Sequence, residues 1–408
     1  MFLMPELWLR MNLPREKELL SKHDGFDTIL LSAHVMETFP HFLSAYIKRR
    51  NKPFVIDPYT YVFAPVPEMI EVEEKRWFSK LIGAYGLDYL YNMGRNSLEE
   101  NDLLDMNDDA TDTLKQFVRA VITYQQSRIN VELAKLVDYE PDLEGEVRPR
   151  FLIAPYFLIQ SLRWLRICSE VVREAALLKG DYKLLVPIFI SKGTLVTQEA
   201  RQMIMSALNQ AAVDGFIAWV ADFRETVELE PTLREFRTWI TELSTTGKPV
   251  YNMYGGLFSI LLADSGMTGI SHSICYGEFK DPTTEGGGGQ IRYYDPYVRN
   301  KIPVGSLDVF STTLRLPPGA KCNCQVCKAF HSYADLEKIS LADADEHFLI
   351  RRIDEIEKVN AKQSLHLITD LHNAYEHASR TDSLGRLAIF YEHLKKWTQA
   401  LSHSSPSP

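Results

Sequence analysis

KLLVPIFIS (Lys183–Ser191), GFIAWVAD (Gly215–Asp222) and PVYNMY (Pro249–Tyr254) are short, nearly continuous apolar runs, each parted from the next by a longer amphipathic stretch. A strand with one wet face alternates polar and apolar side chains, whereas a run that is apolar throughout is buried on both faces, as in a parallel sheet. Parallel neighbours need a crossover, and the intervening sequence has a helical period. Working outward, TILLSAHV (Thr28–Val35), FVIDPYTY (Phe54–Tyr61), FLIAPYFL (Phe151–Leu158) and GISHSICYG (Gly269–Gly277) read the same way. Leu114–Leu136 and Leu158–Leu178 place apolar residues at helical spacing. Seven strands in this rhythm predict an α/β fold, a (β/α)8 TIM-like barrel whose closure leaves no bare edge.

The 408 residues suffice for such a barrel, roughly 250 residues, plus a substantial appendage. Residues 1–310 read as the barrel, 311–402 as a zinc-binding and helical C-terminal region, and 403–408 as a disordered tail. A composition of 45% hydrophobic and 24% charged residues excludes collagenous, disordered and disulfide-scaffold classes. No apolar run approaches the roughly 20 residues of a spanning helix. The opening MFLMPELWLRMNLPREKELL interrupts its apolar residues with Glu6 and Arg10 and offers no small-residue cleavage site, so a cytoplasmic protein without a membrane partner is expected. The net charge of −9 argues against a chain coated with phosphate-binding cations but leaves room for one local basic face. The acidic SLEENDLLDMNDDATD (Ser97–Asp112) is expected to be an exposed insertion, and the glycine-rich TTEGGGGQ (Thr283–Gln290) a mobile loop near the barrel mouth.

Three of five cysteines, Cys322, Cys324 and Cys327, fall within the segment KCNCQVC. Crowding of this kind is poor geometry for disulfides and good geometry for metal thiolates. A tetrahedral structural Zn²⁺ would then need one more ligand, and His331, His347, His366, His372 and His377 lie downstream.

On these residues the chain resembles the tRNA-guanine transglycosylases (queuine and archaeosine tRNA-ribosyltransferases) and their DNA-modifying 7-deazaguanine transglycosylase relatives. The points of contact are C-x-C-x-x-C followed by His372-Asn373, Ser161-Leu162-Arg163-Trp164, Phe54-Val55-Ile56-Asp57, Asp214-Gly215-Phe216 and Gly269-Ile270, in the family's order. The resemblance implies a zinc-bearing barrel that exchanges guanine in nucleic acid for a 7-deazaguanine base, with His372 as fourth metal ligand; the longer spacing keeps His347 and His331 open. The departures favour DNA over tRNA, since they lie in the substrate-reading loops. Pro58-Tyr59-Thr60 replaces Ser-Gly-Gly, Ala154-Pro155-Tyr156-Phe157 replaces F-D-E-C, and WVADFRE (Trp219–Glu225) replaces G-G-L-A-V-G-E. Ser271-His272-Ser273-Ile274-Cys275 carries no aspartate where the family nucleophile stands.

Base exchange calls for a carboxylate that holds the sugar and a second group that manages the purine proton. Asp57, at a strand end, is the first candidate. Glu278, Asp222 and Asp295 compete for the second place, with Glu278 preferred, and His272 on the same strand is expected to orient it or to donate to a leaving base. Tyr59, Tyr156 and Tyr276 near strand ends, with Tyr293 and Tyr294, are candidates to sandwich a flipped purine or 7-deazapurine base. Lys48, Arg49 and Arg50 before one strand, and Arg292, Arg299 and Lys301 flanking Tyr293-Tyr294, are candidate phosphate contacts bordering the same mouth. The competing expectation is an inactive paralogue that binds nucleic acid or serves as a subunit of a protein complex or homodimer.

Overall fold

A computed structural model describes residues 5–12, 16–64, 75–93, 95, 97–107, 109–210, 212–274, 278–280, 290–361 and 363–402. Eight strands form one all-parallel sheet: β1 Glu6–Met11, β2 Thr28–Ser32, β3 Phe54–Asp57, β4 Leu152–Ile153, β5 Leu184–Ile190, β6 Gly215–Val220, β7 Val250–Asn252 and β8 Met267–Ser273. Their order is β3-β2-β1-β8-β7-β6-β5-β4. A parallel bridge between Val55 and Phe151 joins the two end strands and closes the sheet into a (β/α)8 barrel.

Seven of these strands are those expected. The eighth, β1, lies in the N-terminal LWLRM segment, where charged residues disguise a buried strand. Glu6 pairs with Arg150 and Arg10 with Asp57, so each charge finds its partner on another strand or its flank. Register places Trp8 opposite Ser271 and Arg10 opposite Ser273. These residues face the barrel interior, where Trp8 packs on Phe151 and Tyr251 with ring centroids 5.8 and 4.3 Å away. Leu9 opposite His272 therefore faces outward, since side chains alternate across a strand.

Beyond the barrel, an antiparallel hairpin of β9 Arg292–Asp295 and β10 Asn300–Pro303 packs under the helix Leu341–Asn360. The helix Glu392–Ser402 returns to cover the helix Glu230–Ser244. The acidic segment expected to be an exposed insertion is only partly so. Leu98, Leu103 and Leu104 are fully buried, and the short helix Glu100–Leu103 sits against the helices Asp112–Leu136 and Leu162–Leu178. Its leucines anchor the segment while its carboxylates stay at the surface. The glycine run, Tyr276 and the 403–408 tail lie outside the described residues. Among the described residues no helix is long and apolar enough to cross a membrane.

Candidate functional site at the carboxyl face of the barrel

Catalytic groups of parallel barrels come from the carboxyl ends of the strands, and Asp57 is the last residue of β3. It is fully buried. Its Oδ2 accepts from Arg10 Nη1 at 2.8 Å, and its Oδ1 accepts from the Tyr156 hydroxyl at 2.7 Å and the Tyr59 amide at 3.0 Å. The last contact requires the left-handed backbone of Tyr59, φ 58°, which turns its amide back on the aspartate. Above this pair Tyr59, Tyr61, Trp219 and Tyr254 pack edge to face or tilted with centroids 4.8 to 5.1 Å apart. Tyr59 and Tyr156 are both buried in this cluster. Asp57 thus stands in a closed, aromatic-lined mouth with both oxygens engaged, instead of facing an open pocket.

A separate cleft of about 130 Å³ lies where the loops after β6, β7 and β8 meet the β9–β10 hairpin and the helix Leu341–Asn360. Glu278 accepts from Lys301 at 2.9 Å and from Arg352. Burial alone would raise its carboxyl, but Lys301 and Arg352 bring it down to about 2. Glu225 accepts from the amides of Gly256 and Phe258 at 2.9 and 3.0 Å and from the Ser259 hydroxyl at 2.5 Å. Burial pushes it up to about 7, with Glu278 adding to the rise and Ser259 and Gly256 opposing it. A side chain at Gly256 would put its Cβ 2.7 Å from one Glu225 oxygen and 3.0 Å from one Glu278 oxygen. One oxygen of each carboxylate therefore lies within about 6 Å of the other. Glycine is what leaves room for both.

Cations ring this pair. Arg224 stacks on Phe279 with its guanidinium 4.2 Å from the ring centroid, Lys301 bridges to Glu278, and exposed Arg292 makes no ion pair among the described residues. Arg299 also lines the cleft but is committed to Glu355 at 2.9 Å. Asp222 and Asp295 do not line it. Asp222 is half exposed between Lys192 and Arg224, and Asp295 is fully buried, accepting from the Tyr297 and Val298 amides and the Tyr333 hydroxyl to fix the hairpin turn.

His272 departs from expectation. It faces outward from β8 beneath Phe348, 5.4 Å between centroids, with Nδ1 2.9 Å from the Ser273 carbonyl and Nε2 without a partner among the described residues. Burial, then the Arg352 charge, push it down to about 3, so it is neutral and no acid at pH 7. Lys48, Arg49 and Arg50 also depart. They end the helix Pro40–Arg50 just before β3, and a helix that feeds a strand ends at the amino face of the barrel, opposite the cleft. There Arg49 pairs with Asp142 and Glu140, Arg50 with Asp24, and Lys48 with the Gly145 carbonyl.

The cysteines do gather. Cys322, Cys324 and Cys327 Sγ and one His347 ring nitrogen all lie within 4.8 Å of one another. His347 Nε2 donates to the Tyr294 carbonyl at 2.7 Å, which leaves Nδ1 facing the sulfurs, 3.2 Å from Cys327 and 3.5 Å from Cys324. This donor set fits a tetrahedral metal ion, whose ligand atoms stand about 3.5–4 Å apart. The fourth donor of the cluster is therefore His347 and not His372. The helix Ser364–Thr381 buries Leu367, Leu371, Ala374 and Ala378, and that stripe leaves His372 exposed on another face. His331, also exposed, is outside the cluster.

Sequence reasoning passed over Glu225, Gly256 and Arg352. Glu225 had a signal, since it closes the WVADFRE segment at the glutamate of G-G-L-A-V-G-E. Gly256 and Arg352 had none, because their roles depend on segments far apart in the sequence meeting.

No protein-family model and no curated protein matches the chain. Among solved structures it is similar to a type I 3-dehydroquinate dehydratase from Clostridium difficile, at 10% identity over 69% of this chain and 89% of that one, TM-score 0.36. An intracellular xylanase from Thermoanaerobacterium saccharolyticum (10% identity, 68% and 86% covered, TM-score 0.36) and xylanase XynB from Paenibacillus barcinonensis (9%, 66% and 84%, TM-score 0.36) are similar to the same degree. The chemistry of this chain rests on its own site.

Proposed function

We propose that the protein is a transglycosylase that exchanges guanine for a 7-deazaguanine base in nucleic acid, DNA before tRNA, at the Glu225–Glu278 cleft. The observation that carries the reading is the approach of two carboxylates, one drawn down to about 2 and one pushed up to about 7, at the carboxyl ends of β8 and β6. Groups whose environments push their pKa values apart are suited to divided roles. Glu278 attacks the anomeric carbon as the bond to the purine nitrogen breaks, while Glu225 gives its proton to the leaving base. The incoming base returns that proton to Glu225 as its nitrogen displaces Glu278 from the sugar. Arg292, Arg224 and Lys301 supply the phosphate contacts, and the Arg224–Phe279 stack offers a platform for a base. The Cys322, Cys324, Cys327 and His347 set would hold a structural Zn²⁺ that ties the cysteine loop to the helix Leu341–Asn360 and performs no chemistry.

Mass spectrometry of nucleosides from DNA and from tRNA, after incubation with the protein and labelled guanine or 7-deazaguanines, tests the reading. Label in one pool, lost in Glu278→Gln, is the expected result. Label in neither pool, with retained binding of the nucleic acid, selects the second reading, a binding subunit without catalysis. The closure of the mouth over Asp57 and the two ion pairs of Glu278 favour that alternative.

A further inference from the structure

The barrel mouth holds an imbalance that the cleft does not explain. Arg10 is 4% exposed, and Nη1 makes both of its hydrogen bonds, to Ser32 Oγ at 2.7 Å and Asp57 at 2.8 Å. Its Nε and Nη2, which form the side edge of the guanidinium, have no partner among the described residues. The Trp219 indole nitrogen and the Ser271 hydroxyl, on inward-facing residues of the same interior, are buried without partners among the described residues as well. All can act as donors, and a buried donor left unpaired is costly. The charges are also unequal. Lys280 reaches into the mouth, with Nζ 3.1 Å from the Tyr59 hydroxyl, and makes no ion pair among the described residues. Arg10 and Lys280 both bear on His34, which stacks on Tyr59 at 4.2 Å. Among the described residues, two cations thus face one carboxylate, Asp57.

We propose that the barrel mouth is a second binding site, for a small monoanion whose oxyanion group docks on the free Nε/Nη2 edge of Arg10 with Lys280 as counter-charge. Asp57 and Tyr156 act as positioning residues: by engaging Nη1, Asp57 aims the other edge inward. A carboxylate or a phosphate matches that edge through two parallel N–H···O bonds, and one negative charge balances the mouth. The Tyr254 ring, 4.6 Å from the guanidinium carbon, covers one face of Arg10 and leaves its edge as the docking surface.

Isothermal titration of the full chain, without nucleic acid, with acetate and with inorganic phosphate tests this, and the two arms separate a carboxylate from a phosphate ligand. Acetamide is the neutral control. One saturable site per chain for either anion and none for acetamide is expected, with affinity reduced about tenfold or more in Lys280→Gln, a part-buried position whose loss leaves the Arg10–Asp57 pair intact. A crystal structure grown in the binding anion should show it on the Arg10 edge. No saturable binding of either anion, equal binding of acetamide, an unchanged Lys280→Gln, or ordered water alone on that edge would overturn the proposal. None of these readouts depends on base exchange, so this site and the cleft can fail separately.

Discussion

At the scale of single residues, the carboxylates divide by what surrounds them. Asp57 is half of a buried ion pair, and Asp57→Asn leaves the Arg10 charge without its counter-ion. A loss of about 3–5 kcal/mol in denaturant unfolding is expected. Glu278 is paired but borders the cleft. Its folded pKa, about 2, lies below that of an unfolded glutamate, so its contribution to stability is present above about pH 4.5 and lost as pH falls toward 2. Glu225 runs the other way. Its folded pKa, about 7, lies above the unfolded value, so the native state holds the extra proton between about pH 4.5 and 7, and stability falls as pH rises through that window. If Glu225 is the proton donor, kcat for base exchange declines above about pH 7, and Glu225→Gln lowers it roughly 10²–10⁴-fold. A rate independent of pH from 6 to 9 would remove Glu225 from the role.

At the scale of elements, the cysteine loop is fixed by one histidine on the helix Leu341–Asn360. One tightly bound metal per chain by elemental analysis is expected, retained in His372→Ala and lost in His347→Ala. Chelation should lower the melting temperature and release the cysteines to thiol reagents. The His-Asn pair looked right in sequence because a motif is a string of letters; which face of a helix it occupies depends on the apolar stripe around it. Leu367, Leu371, Ala374 and Ala378 set that face and leave His372 in solvent. The basic run Lys48-Arg49-Arg50 shows the same effect in a barrel. Proximity in sequence to Asp57 places it one strand length away, at the opposite face.

At the scale of the whole molecule, two histidines are buried where the C-terminal helices pack. His272 sits between β8 and the helix Leu341–Asn360, and His393 packs on Trp397 at 4.6 Å. Both are pushed down to about 3, chiefly by burial. The unfolded chain binds a proton at each near pH 6.5 while the folded chain does not, so stability falls as pH drops below 6.5. The slope approaches about 1.4 kcal/mol per pH unit for each histidine. Equilibrium unfolding between pH 7 and 5 should show this decline, partly offset by Glu225 and reduced in His393→Asn; an unchanged profile in His393→Asn would mean that this ring takes up its proton without disturbing the fold.

Sequence alone determined the barrel and the cysteine cluster. Runs that are apolar on both faces admit few arrangements other than a parallel sheet covered by helices, and C-x-C-x-x-C is local enough for its spacing to bring the sulfurs together. Only the tertiary structure decided the site. Arg10 and Asp57 are 47 residues apart, Glu225 and Gly256 are 31 apart, and Glu278 and Arg352 are 74 apart. Such pairs form because barrel closure and the docking of the C-terminal helix bring strand ends together, and no period or motif along the chain encodes which distant carboxylate a given cation will meet.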